Sequence, residues 1–340
     1  MFFFNIVLTV LSFIAYVLPF LAPKLFPLLS VLTLLLPSFL VINLLFFLYW
    51  LFQFKKQVIL SGIVLLLGIT FVNKYYKFSS IDLPKETGDF TVMSYNVRLF
   101  NLFKWIDKET VGEEILTFVN EQNPDILCIQ EYSSSANVRF RLYNYQYLHK
   151  QGNKIKTSQA IFSKFPIIND GTIELPESNN SVIFADIRKG KDTIRVYNIH
   201  LESIKISPDV TEIEENVESI NKKKSEMVFN RISEAFKKQQ IQAELISEHK
   251  KTCTYPLIIC GDMNNSAFSY VYRNIKGNLH DCFEEAGNGF GQTYQFRYYP
   301  ARIDYIFADK SMEVKSFQNF PKFKNSDHFP IVTRLMILEK

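Results

Sequence analysis

The first 73 residues contain no Asp, Glu or Arg, and their only charged side chains are Lys24, Lys55 and Lys56. Those lysines separate apolar runs of about Phe2 to Leu21, Leu25 to Phe52 and Val58 to Val72. The first two reach the roughly 20 residues that cross a bilayer, and the third does so when extended through Phe54 or Tyr76. None has the polar stripe that a soluble core helix turns towards water. A cleaved signal peptide does not fit, because no basic segment precedes the first run and two more apolar runs follow it. The sequence therefore predicts a membrane anchor of three transmembrane helices over residues 1–75, a linker over 76–87 and one polar domain over 88–338.

Three spans would put the amino terminus and the Lys55/Lys56 loop on one side of the bilayer and the polar domain, with Lys74 and Lys77, on the other. Paired lysines in a tight loop favour a cytoplasmic position for it, in competition with Lys24, Lys74 and Lys77. The expectation is a multi-pass integral membrane protein whose polar domain lies on the external, periplasm-like face.

The whole chain carries 38 basic and 34 acidic side chains. Three of the basic ones lie in the anchor, so the remainder holds 35 against 34 and is close to neutral. That balance gives no support for tight nonspecific nucleic-acid binding, which rests on neutralising several phosphates. The densest basic cluster, Lys222, Lys223 and Lys224, sits in a charged stretch of helical character, where a solvated face is the plainer explanation. The cysteines do not fix the compartment. Cys128 and Cys260 lie in strand-like runs as small apolar residues, whereas Cys253 and Cys282 could pair in an oxidising environment.

Within the polar part, six β-branched or aromatic runs read as buried strands: Phe90 to Asn96, Asp125 to Glu131, Thr193 to His200, Pro256 to Asn264, Ala301 to Phe307 and Ser326 to Val332. At their ends or tips stand Asn96, Glu131, His200, Asp262 with Asn264, Asp304, and Asp327 with His328. Singly, each has a plain explanation: an Asn after a strand is a turn residue, Asp-x-Asn a loop, and Ser-Asp-His a helix cap. Gathered at neighbouring strand ends, they would make an oxygen-rich pocket of the kind that hard cations prefer.

The motifs SYN, IQE, NIHLES, GDMN, RIDYIF and SDHFPIV, in that order, resemble those of the endonuclease/exonuclease/phosphatase superfamily of magnesium-dependent phosphoesterases, in a membrane-anchored bacterial-type form. The resemblance covers roughly residues 88–338, and Ile161 to Ile167 resembles a noncatalytic strand and turn of that family. It implies an α/β fold, a four-layer α/β sandwich of two packed mixed β-sheets flanked by helices, here preceded by the transmembrane region. It also implies roles. Glu131 would be the principal metal ligand, Asn96 would contact phosphate or a metal-bound water, and Asp327 would complete the metal shell. Asp262 would orient or deprotonate the attacking water, with Asn264 on the same side of the strand end holding a phosphate oxygen. His200 and His328 would stabilise the phosphoryl oxygens, and Asp304 would hold the His328 ring. The general base is left open between Asp262 and the Asp304/His328 pair. The cofactor would be Mg2+, with Mn2+ as a substitute.

The function expected is that of an endonuclease-type nuclease hydrolysing phosphodiester bonds. The alternative is a phospholipid, phosphoinositide or sphingomyelin-type phosphodiesterase or phosphatase, and a second alternative is a catalytically silent membrane-tethered binding module. The partners are accordingly a phosphodiester substrate, nucleic acid or lipid headgroup, and the bilayer. Apolar spacing predicts one or two amphipathic helices over about 208–251, with Ser207 as cap and Pro208 at the first position, packed as a layer on one sheet. A further helix is expected over about Thr110 to Gln122. His149, His249 and His280 read as surface or packing residues. Phe296, Tyr298 and Tyr299 could stack on a base or touch a lipid interface, though packing at a sheet edge is the simpler reading.

Overall fold

The computed structural model describes residues 1–151, 157–204, 222–297 and 299–338. The expected helix start at Ser207 and Pro208, and Tyr298, lie outside the described residues. Two compact units emerge. One comprises Met1–Tyr75, Ser203–Glu244 and Asn265–Ile275; the other comprises Tyr76–Glu202, Leu245–Asn264 and Lys276–Lys340.

The second unit holds two six-stranded sheets. Strands β1 (Phe90–Asn96), β2 (Ile126–Ser133), β3 (Tyr145–Gln151), β4 (Thr157–Ser163), β11 (Met312–Asn319) and β12 (Ile331–Ile337) form one, in the order β11-β12-β1-β2-β4-β3. Strands β5 (Ile167–Glu174), β6 (Ser181–Lys189), β7 (Asp192–His200), β8 (Leu257–Asp262), β9 (His280–Asp281) and β10 (Asp304–Ala308) form the other, in the order β5-β6-β7-β8-β10-β9. Their facing sides interdigitate in a core that includes Val92, Ile126, Cys128, Ile161, Ala185, Val196, Ile258, Cys260 and Ile306. On the outer face of the first sheet, Met93, Tyr95, Leu127 and Ile129 pack with Ile115 and Val119 of helix α5 (Val111–Gln122). Strands buried on both faces must be apolar at nearly every position, which is why these runs read as continuous rather than alternating.

Helix α5 starts and ends where its sequence predicts, with Asn123 in a left-handed conformation (φ 47°) as its stop before Pro124. All four cysteines are free and Cys282 is buried, so Cys253 and Cys282 do not pair here. His149 meets Thr172 Oγ1 (3.1 Å), His249 meets the Tyr197 hydroxyl (2.8 Å) and His280 meets Glu285 (3.0 Å), all away from the strand ends discussed below.

In the first unit, helices α1 (Phe2–Val17), α2 (Pro27–Ser30), α3 (Leu32–Phe52) and α4 (Val58–Tyr75) supply three segments long and apolar enough to cross a membrane. The second predicted run is broken at Val31, so its long helix begins at Leu32 rather than Leu25. Some of the buried polar side chains of these helices pair across helices. Asn5 donates to Ser61 Oγ (2.8 Å) and accepts from Trp50 Nε1 (3.0 Å), while Asn43 donates to Ser12 Oγ (3.0 Å). In hydrocarbon, where apolar surfaces gain little by meeting, such bonds fix which helices associate.

Helix α6 (Lys222–Lys251) meets the expectation only at its end, where His249 packs on Phe184 and Tyr197 of the second sheet; earlier in the helix, Ile232 and Phe236 pack with Val31 and Leu34 of this first unit. The segment after Asn264 behaves likewise. Phe268 is buried against Leu8, Ala15, Leu36 and Phe39, and Arg273 lies over the Phe20 ring (4.3 Å). Asn265 donates to Gln239 Oε1 (2.7 Å). The apolar spacing in α6 is real, but spacing does not say which apolar surface it will meet.

Candidate active site

Strand direction gathers the polar residues. Strands β1 and β2 are parallel, as are β7 and β8, so Asn96, Glu131, His200 and Asp262 stand at or near carboxyl ends of strands. Strands β10 and β12 run antiparallel to β8 and β1, so their amino ends reach the same edge. Asp304 therefore opens β10, and Asp327 and His328 precede β12. In register, His200 lies beside Asp262 and Asp262 beside Asp304.

Gly261 makes that register possible. Its φ is +133°, and a Cβ there would stand 2.0 Å from the carbonyl oxygen of Ile199 on β7. Only glycine fits both the dihedral and the approach.

The side chains then form a continuous set. Asn96 turns its NH2 to Glu131 Oε1 (3.4 Å) and Asp262 Oδ2 (3.2 Å), and its Oδ1 accepts from the Arg98 backbone (3.1 Å). His200 Nε2 lies 3.8 Å from Glu131 and 3.6 Å from Asp262. His328 Nδ1 binds Asp304 (3.0 Å), leaving Nε2 facing Asp262 Oδ2 at 3.6 Å. Asp327 pairs with Arg98 (3.3 Å). Asn264 differs from expectation. The strand stops at Asp262, so strand alternation no longer applies two residues on. Asn264 is left-handed (φ 49°), its N–H donates to Asp262 Oδ1 (2.8 Å), and its side chain donates to Leu201 O (3.0 Å).

Burial pushes the Asp262 carboxyl up to about 6, reinforced by Asp304 and opposed by His328 and His200. Desolvation likewise raises Glu131 and lowers His200. For His328, burial acts to lower the pKa, but the carboxylates of Asp304, Asp262 and Asp327 outweigh it and hold the ring well above the usual histidine range. Four carboxylates, Glu131, Asp262, Asp304 and Asp327, thus face Arg98 and a charged His328, leaving net negative charge that a divalent cation would balance. Oxygen donors suit a hard cation. Asp262, Asp304 and His328 form a group of potential donors within 4.8 Å of one another. Nδ1 of His328 is already committed to Asp304, so that trio is also a hydrogen-bonded set.

Two features escaped the sequence reading. Gln130 and Asn198, inside the IQE and NIH motifs, are fully buried and join the two sheets directly beneath the site. Gln130 donates to Asn198 Oδ1 (2.6 Å) and Ser94 Oγ (3.1 Å), and Asn198 donates to Ile129 O and Ala160 O (both 2.9 Å). A polar residue in an otherwise apolar strand, next to the site residue, was the available signal. Asn198→Leu should leave the Gln130 amide with Ser94 alone and remove the side-chain bonds to the two carbonyls, at about 0.5–1.5 kcal/mol for each bond lost. Thermal unfolding should fall by several degrees and turnover should fall with it; an unchanged melting temperature would remove the bridge from the list of supports.

The second feature is the loop after Asn96. Arg98, Leu99, Phe100 and Asn101 all have left-handed backbones (φ 42° to 62°), each costing a non-glycine residue about 1–2 kcal/mol. Tertiary contacts hold them. Phe100 packs against Tyr132 and Phe140, and the Asn101 side chain bonds Ile106 O, Ile106 N and Lys108 O at 2.7, 2.9 and 3.1 Å. The Arg98 guanidinium, paired with Asp327, also lies over the Trp105 ring (4.6 Å).

Two mixed sheets packed face to face, with acids, amides and histidines gathered at one edge, define the class of divalent-metal phosphoesterases. Residues 93–328 match the Endonuclease/Exonuclease/phosphatase family, and the chain belongs to it. Residues 1–75 match a Domain of unknown function (DUF8431). No curated protein matches the chain. Among solved structures, the chain is similar to an endonuclease/exonuclease/phosphatase from Bacteroides vulgatus, with 17% identity, 74% of this chain and 100% of that one covered, and a TM-score of 0.55. It is also similar to the human Nocturnin catalytic domain with bound sulfate (18%, 76% and 97%, TM-score 0.54). A third is D. rerio TDP2 complexed with a single-strand DNA product (14%, 73% and 99%, TM-score 0.53). At these identities the likeness establishes the fold.

Proposed function

We propose that this chain is a membrane-anchored, magnesium-dependent phosphodiesterase, and that Asn96, Glu131, His200, Asp262, Asp304, Asp327 and His328 are its site. The observation that carries the reading is the unbroken set of close contacts from Glu131 through Asn96, His200 and Asp262 to His328 and Asp304. Glu131 and Asp327 would hold the ion, with Asn96 ordering the Glu131 and Asp262 carboxylates. When bound, magnesium neutralises charge on the phosphoryl and leaving oxygens. Asp262 takes the proton from the attacking water as its oxygen bonds phosphorus and the bond to the leaving oxygen breaks. His200 and the charged His328 donate to the phosphoryl oxygens, and Asp304 fixes the His328 tautomer. Asn264 holds the loop that presents Asp262.

An endonuclease-type substrate is the first reading, supported by a nucleic-acid product on the similar TDP2 fold. A lipid phosphodiester is the second, favoured by the near-neutral polar domain and the three membrane-length helices. The intact acid and histidine set counts against a silent binding module. With full-length protein in nanodiscs, EDTA should reduce hydrolysis to background and magnesium or manganese should restore it. Turnover of single-stranded oligonucleotide without turnover of phospholipid supports the nuclease; the reverse supports the lipid enzyme. Activity indifferent to EDTA would contradict the metal-dependent reading.

A further inference from the structure

The loop after the left-handed turn presents a solvent-facing apolar tip: Leu102 is 38%, Phe103 49% and Trp105 43% exposed. A tip of this kind on a rigid frame is a surface built to meet something. It adjoins the site through Arg98, which touches both Trp105 and Asp327. A second aromatic group is tied to His328 through the chain that carries Tyr294. Tyr76 packs edge-on against Phe78 (5.0 Å) and Phe290 (4.8 Å), and Phe78 is 82% exposed. Paired backbone bonds between Lys77 and Gly289 (2.8 and 2.9 Å) fix this group to the chain leading to Tyr294, whose ring packs on His328 (4.9 Å).

We propose that these two aromatic groups form a rim that docks on the headgroup region of a lipid bilayer, so that the site draws its phosphodiester from the membrane surface. The proposal rests on the phosphodiesterase reading and selects the lipid substrate class within it. Three observations favour a bilayer over a nucleic-acid strand. Tyr76 and Phe78 directly follow a helix long enough to cross a membrane, where aromatic residues anchor at the interface. Leu102, at the other tip, has no ring to stack on a base. The polar part, at 35 basic against 34 acidic residues, lacks the charge excess that gathers nucleic-acid phosphates. The aromatic run expected to play such a part is less suited: Phe296 and Tyr299 are half-buried, ring against ring.

The chain has two tryptophans, Trp50 and Trp105. The difference in fluorescence between the full-length protein and its Trp105→Phe variant therefore isolates the loop. In phosphatidylcholine/phosphatidylglycerol nanodiscs, the Trp105 component should be blue-shifted and should lose about half its intensity or more when the acyl chains are brominated, as a ring seated at the headgroup boundary does. A solvent-like component untouched by brominated lipid would overturn the proposal. So would quenching by a single-stranded oligonucleotide in place of lipid, which would assign the loop to base stacking. As a second readout, Leu102→Ser/Phe103→Ser should lower the ratio of phospholipid to bis-nitrophenyl phosphate turnover about tenfold; an unchanged ratio counts against docking. If the wild type cleaves neither diester, the hydrolytic reading fails, and the fluorescence still decides the docking.

Discussion

Asp262→Asn is expected to lower phosphodiester turnover by about three orders of magnitude, within the range for losing a general base. The substitution keeps the shape of the side chain and its capacity to accept from the Asn264 N–H, so β8 should end as before. What it removes is the proposed proton acceptor and one of four crowded carboxylates. The carboxylate is almost fully buried, and Asp304 next to it adds repulsion. The folded protein in EDTA should therefore melt close to the wild type, the lost acceptor for the Asn96 NH2 being offset by relief of that repulsion. Loss of activity with stability retained would separate a chemical role from a structural one. A variant that kept more than a tenth of the wild-type rate would move the proton-accepting role to the Asp304/His328 pair.

Gly261→Ala, one residue earlier, should do the opposite kind of damage. A methyl group at this position would meet the Ile199 oxygen at 2.0 Å and its nitrogen at 2.8 Å, all of it backbone that cannot rotate away. The φ of +133° adds a dihedral penalty. Strands β7 and β8 would have to separate where His200 and Asp262 meet, and destabilisation above about 4 kcal/mol is expected, at the extreme of single substitutions. Thermal unfolding and expression level should both show it. A variant melting within a few degrees of the wild type would mean that the two strands do not approach this closely.

Much of this arrangement is legible in the chain, for a physical reason. Strands buried on both faces have to be apolar, so a carboxylate or histidine at a strand tip stands out, as Glu131 and His200 do. The carboxyl ends of parallel strands are easily read this way. The amino ends of antiparallel partners are not, because direction is a property of pairing, and Asp304 and His328 reach the edge from the opposite sense. Membrane-length helices are equally legible from their apolar length. The partners of α6 are not: Ile232 and Phe236 carry the right spacing for a sheet and meet Val31 instead. The left-handed turn at Arg98 to Asn101 leaves no trace in composition, since none of its residues is glycine and its backbone is held by distant contacts. Gln130 and Asn198 were visible as letters inside motifs, yet their bridging role depends on how two sheets face each other.

The most direct test of the hydrolytic site is the rate at which full-length protein in nanodiscs cleaves bis-nitrophenyl phosphate with magnesium, compared with the Glu131→Ala variant under the same conditions. Glu131 would carry the ion, so the variant should fall to the rate seen with EDTA while its melting temperature stays near that of the wild type. Equal rates in the two proteins would contradict a metal-dependent site at these strand ends.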